Sequence, residues 1–403
     1  MKKILFVGMA QSVHLQRWIS QLEGQDWEIH LFPSIDDGLI HTGFRHITVY
    51  HSIFTPQPDI DSSVKERGLR IGIPGQRTPK GSPFWFLSRL LNVIRSRLNP
   101  NYRQDDLRRI IKRIQPDIVH SVEFQQAGYI TLKIKKQLGD QFPTWIATNY
   151  GSDIYLFGRL AEHRERIREI LELCDYYDCE CERDVTIAQE MGLRGEVIRP
   201  VFPNSGGFNM EEFDESSRQE PVSSRKQIIL KGYQHFAGRA LVALQAFARC
   251  VDILQDYTIV IYSAHPDVQI AAELLEQDTG LKIKLLPPAS HEDILREFGK
   301  SRIYIGLSIS DAISTSMLEA MTMGAFPIQS NTACADEWVT DGETALIIPP
   351  EDVDVLVNAI RTALDDDALV DNAAKINLQT ARDRLDNVNI RPQIVDIYRK
   401  ILG

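Results

Sequence analysis

Short apolar segments alternate with amphipathic stretches along almost the whole chain. This alternation restricts the possible folds of the chain more than any other sequence feature. Lys3–Gly8 form a compact apolar run typical of a buried strand, and Val13–Leu22 carry large apolar side chains at helical spacing. Strands that alternate with helices pair in parallel, because each helix crosses the sheet to reach the next strand. The pattern therefore predicts an α/β fold built on parallel sheets.

The alternation is interrupted once, near the middle of the chain. Pro203–Gly207 form a turn-like sequence, and the polar, acidic residues Met210–Lys226 show no apolar period. Strand–helix alternation starts again at Gln227. We therefore expect two Rossmann-like domains, residues 1–205 and 227–385, joined by a linker at 206–226 and followed by a last helix in 386–403.

Composition restricts the class of protein. The 403 residues suffice for two cores, and 43% hydrophobic with 25% charged residues are typical of a globular protein. No apolar run reaches the roughly 18–20 residues of a membrane-spanning helix. The apolar run after Met1–Lys3 is too short for a signal peptide and lacks a small-residue cleavage site, so a first strand fits better. Five cysteines, an odd number, favour a reducing compartment, and we expect a cytoplasmic protein.

Three of the cysteines, Cys174, Cys179 and Cys181, lie close together in the sequence. The alternation Cys179-Glu180-Cys181 predicts that both thiols lie on one face of a strand. Zinc would need a fourth ligand that the sequence does not offer. We therefore interpret these cysteines as small buried residues.

The loop from Asp311 to Glu319 carries two carboxylates eight positions apart. The apolar run Ile303–Leu307 precedes it as a strand, and a helical run begins near Leu318. Between the acids stand three residues that favour helix N-caps, namely Ser314, Thr315 and Ser316. Backbone N–H groups at a helix start bind phosphate, so this loop predicts a site for an elongated anionic ligand.

The segment Ser308–Pro350 resembles the donor site of retaining GT-B glycosyltransferases of family 4. The matching residues are Ser308, Asp311, Glu319, Ala320, Met321, Gly324, Pro327, Ile328, Glu337, Asp341, Gly342, Pro349 and Pro350. The family has Glu where this chain has Asp311, which is one methylene shorter. It has Gly where this chain has Ala312, a residue that restricts positive φ.

The resemblance implies the GT-B fold: two Rossmann-like domains facing a central cleft, with the C-terminal helix crossing back to the first domain. It also implies transfer of a sugar from a nucleotide-diphospho-sugar to an acceptor hydroxyl with retention, without metal or other cofactor. In such a site Asp311 would act on the donor sugar and Glu319 would hold the ribose hydroxyls. The expected acceptor is a glycan or lipid-linked glycan, in cell-surface polysaccharide or glycolipid synthesis.

In the resembling family, a basic pair early in the second domain neutralises the donor diphosphate. Here Lys231 and Arg239 flank a glycine-bounded loop after a strand, where phosphate binding requires cations. Tyr233 stands where the family has Arg. Both cations are expected to be catalytic, and the alternative is a solvated Lys and a helix-surface Arg.

The first half contributes further candidates at its strand ends. Ser12 and His14 follow the first strand, which lacks a full G-x-G-x-x-G fingerprint. Glu123 follows the strand at Pro116–Ser121, where helix capping and a solvated role are equal alternatives. The sequence Tyr150-Gly151-Ser152-Asp153 resembles the family's H-G-S-D. The expected roles are catalysis for His14 and substrate binding for Ser12, Glu123, Tyr150, Ser152 and Asp153, although Asp153 could instead cap the next helix.

Charge is unevenly distributed. Residues 65–113 carry thirteen basic and three acidic side chains, although the chain has a net charge of −10. Within this region, Pro83–Leu98 place apolar residues at helical spacing beside arginines. Such a helix either lies in an anionic membrane interface, at the inner face of the membrane, or packs on the core with its arginines outward. No RNA- or DNA-reading motif accompanies it, so no nucleic acid partner is expected.

Two other functions share these sequence features. A nucleotide-sugar 2-epimerase has the same fold and donor but needs no acceptor. A non-catalytic nucleotide-sugar-binding partner would account for the departures at Asp311, Ala312, Tyr150 and Tyr233.

Overall fold

The computed structural model describes residues 1–51, 57, 59–68, 86, 90, 94, 97–203, 206–213, 218 and 221–403. These residues divide into two compact units. Unit 1 consists of Met1–Gly206 and Arg391–Gly403, and unit 2 consists of Gly207–Ile390. Each unit contains one parallel β-sheet with helices, which confirms the α/β, two-domain prediction. Part of the expected linker, residues 214–217 and 219–220, lies outside the described residues.

The described strands of unit 1 form an eight-stranded parallel sheet in the order β4-β3-β2-β1-β5-β6-β7-β8. These strands are β1 (Lys2–Gly8), β2 (Trp27–Pro33), β3 (Ile47–His51), β4 (Lys65–Gly68), β5 (Ile118–Val122), β6 (Thr144–Thr148), β7 (Tyr176–Asp178) and β8 (Glu196–Val197). The strand order reverses between β1 and β5, which are adjacent and parallel. In open α/β sheets ligands bind outside the carboxyl ends of the strands at such a reversal.

The helices of unit 1 pack on this sheet through apolar faces. They are α1 (Val13–Ser20), α2 (Tyr102–Ile114), α3 (Tyr129–Leu138), α4 (Ala161–Leu173) and α5 (Glu182–Glu190), together with a π-helical turn at Phe124–Gly128. Helix α1 buries Leu15, Trp18 and Ile19, which are three of the four residues that its sequence period predicts. Leu22, the fourth, is buried just beyond the end of the helix.

The sheet of unit 2 has the strand order β11-β10-β9-β12-β13-β14 and is also parallel. Its strands are β9 (Gln227–Lys231), β10 (Thr258–Tyr262), β11 (Lys282–Leu285), β12 (Ile303–Gly306), β13 (Phe326–Ser330) and β14 (Leu346–Ile348). Its helices are α6 (Ala240–Arg249), α7 (Val251–Leu254), α8 (Pro266–Thr279), α9 (His291–Lys300), α10 (Thr315–Thr322), α11 (Val353–Asp365) and α12 (Asp367–Leu385). The order reverses between β9 and β12, so the loops after these strands start at one point of the sheet edge.

The last helix, α13 (Asn387–Leu402), brings a tyrosine into the core of unit 1. Trp18 Nε1 donates a hydrogen bond to the hydroxyl of Tyr398 at 2.9 Å, and this hydroxyl lies 2.6 Å from His120 Nδ1. His120 Nε2 lies 2.6 Å from Thr148 Oγ1, whose hydroxyl donates to Asp178 at 2.8 Å. Burial lowers the pKa of His120 to about 3, so the ring is neutral. We call these five residues the buried polar chain.

The cysteine prediction is right about burial and wrong about the strand. Cys174, Cys179 and Cys181 are all buried. Strand β7 ends at Asp178, before Cys179, and Cys181 is the N-cap residue of α5. The backbone therefore leaves the sheet within the segment whose alternation suggested a strand.

Candidate active site

The carboxyl ends of β9 and β12 carry the candidate residues of unit 2. Lys231 is the last residue of β9, and the loop that follows β12 carries Asp311. Helix α10 then begins at Thr315 and carries Glu319 in its second turn. Since β9 and β12 are parallel neighbours, these side chains start from the same edge of the sheet.

Lys231 is a half-buried cation whose charge interacts with nearby carboxylates. Burial by itself would lower its pKa, but Tyr304, Asp311, Tyr233 and Glu319 act in the opposite direction, and the pKa of Lys231 is raised. The ammonium group therefore stays charged inside the protein. The structure thus brings Lys231, Asp311 and Glu319 into one electrostatic group, although they are up to 88 positions apart in the chain.

Tyr233, which replaces the family's Arg, contacts this cation. The Lys231 ammonium lies 4.6 Å from the centre of the Tyr233 ring, a cation–π distance. The chain returns toward Tyr233 at Gly238, where a Cβ atom would come within 2.3 Å of the Tyr233 carbonyl oxygen. Gly238 is therefore required for the close approach that shapes this loop.

The start of α10 forms the expected N-terminal cap. Ser314 is the N-cap residue, and its hydroxyl accepts a hydrogen bond from Met317 N at 3.3 Å. Tyr304 is buried, and its hydroxyl lies within hydrogen-bonding distance of the Ser314 hydroxyl, at 3.4 Å. Thr315 and Ser316 are partly exposed. The first N–H groups of a helix have no partner within the helix, so this end can bind an anion.

Glu319 is 7% exposed and is bound by a histidine that the sequence patterns did not indicate. His291 Nε2 lies 2.8 Å from Glu319 Oε1. His291 opens helix α9, 28 positions earlier in the chain, and no motif marks it. Only the packing of α9 beside α10 brings the two residues together.

Asp311 lies in a braced loop. Its carboxylate accepts the Ala312 backbone N–H at 3.0 Å, and its own N–H donates to Thr332 O at 3.3 Å. Ala312 is fully buried and is not among the residues with positive φ. The alanine in place of the family's glycine therefore causes no backbone strain.

The Arg239 side chain forms hydrogen bonds with neighbouring residues of unit 2. Its Nε donates to Glu351 at 2.7 Å, and one terminal nitrogen donates to Gly238 O at 2.9 Å. Its side chain is 20% exposed. Arg239 is therefore paired with Glu351, which is not a candidate site residue, whereas Lys231 interacts electrostatically with the candidate acids Asp311 and Glu319. The sequence did not indicate Glu351 as this partner.

In unit 1, the start of α1 and the loop after β6 bring two aromatic candidates, His14 and Tyr150, together. Ser12 caps α1, and its hydroxyl accepts from Leu15 N at 3.3 Å. The ring centres of His14 and Tyr150 lie 6.4 Å apart in an edge-to-face arrangement. Burial raises the pKa of Tyr150, so its hydroxyl remains protonated.

Glu123 and Asp153 brace the turns that follow β5 and β6. Glu123 caps the π-helical turn by accepting from Gln126 N and Ala127 N at 2.9 and 2.5 Å. It has φ of +77°, an uncommon conformation for a non-glycine residue. Burial raises the pKa of Glu123 to about 7 despite these hydrogen bonds.

Asp153 does not cap the following helix, which was one of its two predicted roles. Its carboxylate accepts from Tyr150 N and Phe124 N, each at 2.8 Å, and so ties the turn after β6 to the turn after β5. Burial raises the pKa of Asp153, and the nearby Glu123 adds to the effect. The carbonyl of Ser152 accepts from Leu156 N at 3.0 Å.

Part of the positive charge of residues 65–113 has acidic or aromatic partners within unit 1. Arg103 lies 3.3 Å from Asp36, Arg109 pairs with Asp106 at 2.8 Å, and Arg113 lies over the Tyr50 ring. Most of the Pro83–Leu98 stretch lies outside the described residues, including Phe84, Leu87 and Leu91. The described apolar residues of this stretch are helical and at least 43% exposed: Phe86, Leu90, Ile94 and Leu98. Among the described helices, none combines the length and hydropathy needed to cross a bilayer.

Comparison with known families gives two matches. Residues 215–380 match the model described as Glycosyl transferases group 1, and residues 96–173 match the model described as Glycosyl transferase 4-like. The two matches together span more than half of the chain. No curated protein sequence matches this chain.

Comparison with solved structures shows similar folds at low sequence identity. Sucrose-phosphate synthase from Thermosynechococcus elongatus is 15% identical with a TM-score of 0.70, covering 100% of this chain and 99% of the other. Anabaena HepE in complex with UDP-glucose is 14% identical with a TM-score of 0.68, covering 99% and 100%. Trehalose 6-phosphate synthase from Burkholderia multivorans is 12% identical with a TM-score of 0.68, covering 100% and 99%.

The fold and the matched models define the class of this protein, a two-domain glycosyltransferase of GT-B fold. Within that class, residues 215–380 are similar to the group 1 glycosyltransferases and residues 96–173 to the glycosyl transferase 4-like proteins.

Proposed function

We propose that this enzyme transfers a sugar from a nucleotide-diphospho-sugar to an acceptor hydroxyl with retention of the anomeric configuration. The observation that carries the proposal is the half-buried, charged Lys231, which interacts electrostatically with Asp311 and Glu319 at the strand-order reversal of unit 2. A half-buried cation and a helix start suit a diphosphate. Two carboxylates suit the hydroxyls of a sugar and a ribose.

Each residue receives a role from the charge that the reaction develops. When the anomeric bond breaks, the leaving diphosphate gains negative charge, and interactions that strengthen at that moment lower the barrier. Lys231 and the N–H groups near Ser314, Thr315 and Ser316 stabilise this charge, with Arg239 as a second cation. Glu319 binds the ribose hydroxyls, and Asp311 orients the transferred sugar. We assign no protein nucleophile, so the acceptor attacks from the face that the phosphate leaves.

The candidates of unit 1 are proposed for the acceptor side. The rings of His14 and Tyr150 lie near each other, and Ser12 is the N-cap of the helix that carries His14. Asp153 and Glu123 accept backbone N–H groups of the turns around them. We propose that these two acids shape the acceptor-side turns, together with Ser152.

We further propose that the reaction needs no metal, because Lys231 and the helix start supply the positive potential that a divalent cation would otherwise provide at the diphosphate. Activity should then persist in EDTA. Loss of activity in EDTA, restored by Mg²⁺ or Mn²⁺, would contradict this proposal.

We also propose a cytoplasmic enzyme of polysaccharide or glycolipid synthesis that contacts an anionic membrane. The support is the exposed apolar series Leu90, Ile94 and Leu98 in a region with an excess of basic residues. A lipid-linked acceptor would be presented at such a surface.

The first test is a donor screen by thermal shift, because a ligand that binds the native state raises the melting temperature in proportion to ln(1 + [L]/Kd). UDP-glucose is the first donor to test, since the similar Anabaena HepE structure contains it. The configuration of the product of the active donor, read by NMR, then tests retention. Turnover of the donor without any acceptor would instead indicate the epimerase alternative.

A further inference from the structure

His291 occupies a defined position beside the candidate ribose carboxylate. It is the first residue of α9, and Ser290 caps this helix by accepting from Asp293 N at 3.1 Å. The side chain of His291 is 37% exposed, whereas that of Glu319 is 9% exposed. The ring therefore lies at the border between solvent and a buried acid.

The chemistry of the pair determines the direction of its hydrogen bond. An ionised carboxylate only accepts hydrogen bonds, so His291 Nε2 must carry the hydrogen in its 2.8 Å contact with Glu319 Oε1. A carboxylate has about four acceptor positions on two oxygens, and His291 uses one of them. This contact restricts the rotation of the Glu319 carboxylate.

A second carboxylate faces the other ring nitrogen. His291 Nδ1 lies 3.9 Å from Glu212 Oε2, an ion-pair distance rather than a hydrogen bond. Glu212 ends the short 3-10 turn Met210–Glu212, which lies near the start of unit 2. The imidazole thus stands between two acids, with Nε2 directed at Glu319 and Nδ1 toward Glu212.

We propose that His291 is a positioning residue that holds the Glu319 carboxylate in the orientation that receives the ribose hydroxyls of the donor. This inference rests on the proposed function, which assigns the ribose to Glu319. The physical gain is preorganisation: a carboxylate that is already oriented loses less conformational freedom when the ribose binds. Ligand-contacting side chains that are held by a neighbouring hydrogen bond commonly depend on that neighbour for affinity.

The test compares ribonucleotides with their 2′-deoxy counterparts. UDP, GDP and ADP and their 2′-deoxy forms are titrated by calorimetry into wild type, His291→Ala and His291→Gln, of which Gln keeps an N–H donor. The matched control is His163→Ala, a partly exposed histidine of unit 1 that lies 2.8 Å from the Tyr129 hydroxyl. Melting curves of all variants separate binding from folding.

We expect His291→Ala to weaken the preferred ribonucleotide by roughly 3- to 10-fold, the range of one net hydrogen bond. The 2′-deoxy form should be weakened less, so the ribose preference shrinks. His291→Gln should restore much of the preference, and His163→Ala should leave it unchanged. In turnover assays, KM for the donor should rise more than kcat falls. Adding His291→Ala to Glu319→Gln should produce little further loss, because both changes remove one coupled interaction.

The possible results separate the two levels of the proposal. If none of the nucleoside diphosphates binds wild type, the result contradicts both the proposed donor site and the role of His291. If wild type prefers the ribonucleotide and His291→Ala keeps that preference in full, only the role of His291 is overturned. Tighter binding by His291→Ala would also overturn it, because the ring would then compete with the ribose.

Discussion

Glu319 is the residue whose replacement tests the donor site most directly. Glu319→Gln keeps the shape of the side chain and removes its charge. We expect it to weaken nucleotide-sugar binding by roughly 1.5–3 kcal/mol, the range of a hydrogen bond to a charged group. Isothermal calorimetry with the donor found in the screen measures this loss. Unchanged affinity, with an unchanged melting curve, would remove Glu319 from the ribose site.

Lys231 and Arg239 differ in their surroundings, and their variants should differ accordingly. Lys231→Met removes the half-buried cation that interacts with Asp311, and we expect a larger fall in kcat than rise in KM, because leaving-group charge develops in the transition state. Arg239→Met should act in the same direction but more weakly, since Arg239 is already paired with Glu351. Equal kcat for Lys231→Met and wild type would exclude Lys231 from charge stabilisation.

Asp178, at the end of the buried polar chain, should make stability depend on pH. Burial raises its pKa from 3.8 to about 7, so the folded state holds the proton more tightly than the unfolded state. The stabilising contribution is present in full below the unfolded pKa and is lost as pH rises through the folded pKa. We therefore expect the unfolding free energy of wild type to include a component that falls between about pH 4 and pH 7.

Urea melts across this pH range test the expectation. Asp178→Asn should flatten the component, because the amide does not titrate. Asp140→Asn, at an exposed position in the same unit, is the matched control and should leave the component in place. If wild type and Asp178→Asn have parallel pH profiles, the carboxyl of Asp178 does not titrate differently on folding.

At the scale of elements, the exposed apolar residues Leu90, Ile94 and Leu98 test membrane contact. One sequence alternative had the predicted helix of Pro83–Leu98 packed on the core, but Leu90 is 56% exposed, which does not agree with core packing at this position. Wild type should float with anionic vesicles at low salt and less so at high salt, since surface potentials decay within a Debye length of about 8–10 Å.

The double change Leu90→Ser and Ile94→Ser should reduce flotation with little effect on stability, because both side chains are exposed. Ile270→Ser with Leu274→Ser is the matched control, since these residues are also exposed and lie four positions apart on α8 of unit 2. Wild type that stays unbound at low salt would contradict the membrane proposal.

Elements with strong periodic patterns were predictable from the sequence, whereas contacts between elements were not. The expected strands Lys3–Gly8 and Ile303–Leu307 each differ by one residue from the strands of the structure, Lys2–Gly8 and Ile303–Gly306. Helix α3 was not predicted, and it follows the π-helical turn that Glu123 caps, a local geometry without a simple sequence period.

The candidate site shows the same division. Lys231, Asp311 and Glu319 could be selected because each stands at a strand end or helix start with a chemical role. His291 could not, because its partner lies on another helix and the pairing depends on tertiary packing. The contact between Arg239 and Glu351 could not be predicted for the same reason, since 112 positions separate the two residues.

At the scale of the whole molecule, unit 1 is built from two separate pieces of chain, with unit 2 inserted between them in the sequence. The second piece supplies Tyr398, which completes the buried polar chain. Deletion of residues 391–403 would leave His120 and Trp18 with buried nitrogens that lack this partner, at a cost of roughly 1–3 kcal/mol for each unsatisfied group. Limited proteolysis should then cut unit 1 faster while unit 2 keeps its resistance. Equal resistance of unit 1 with and without the deletion would contradict this prediction.

The same arrangement has a consequence for the order of events during synthesis. Domains generally fold as units while the ribosome is still translating, starting from the N-terminus. Here the domain that is begun first is completed after unit 2, because Tyr398 follows the whole of unit 2 in the sequence. Unit 2 is continuous in sequence, so it can form its core before unit 1 is complete. Until Tyr398 is synthesised, His120 and Trp18 of unit 1 lack this hydrogen-bond partner. A ribosome that stalls inside the last helix would therefore release a chain in which the later half is mature and the earlier half is not, and cellular proteases would be expected to attack the older segment first.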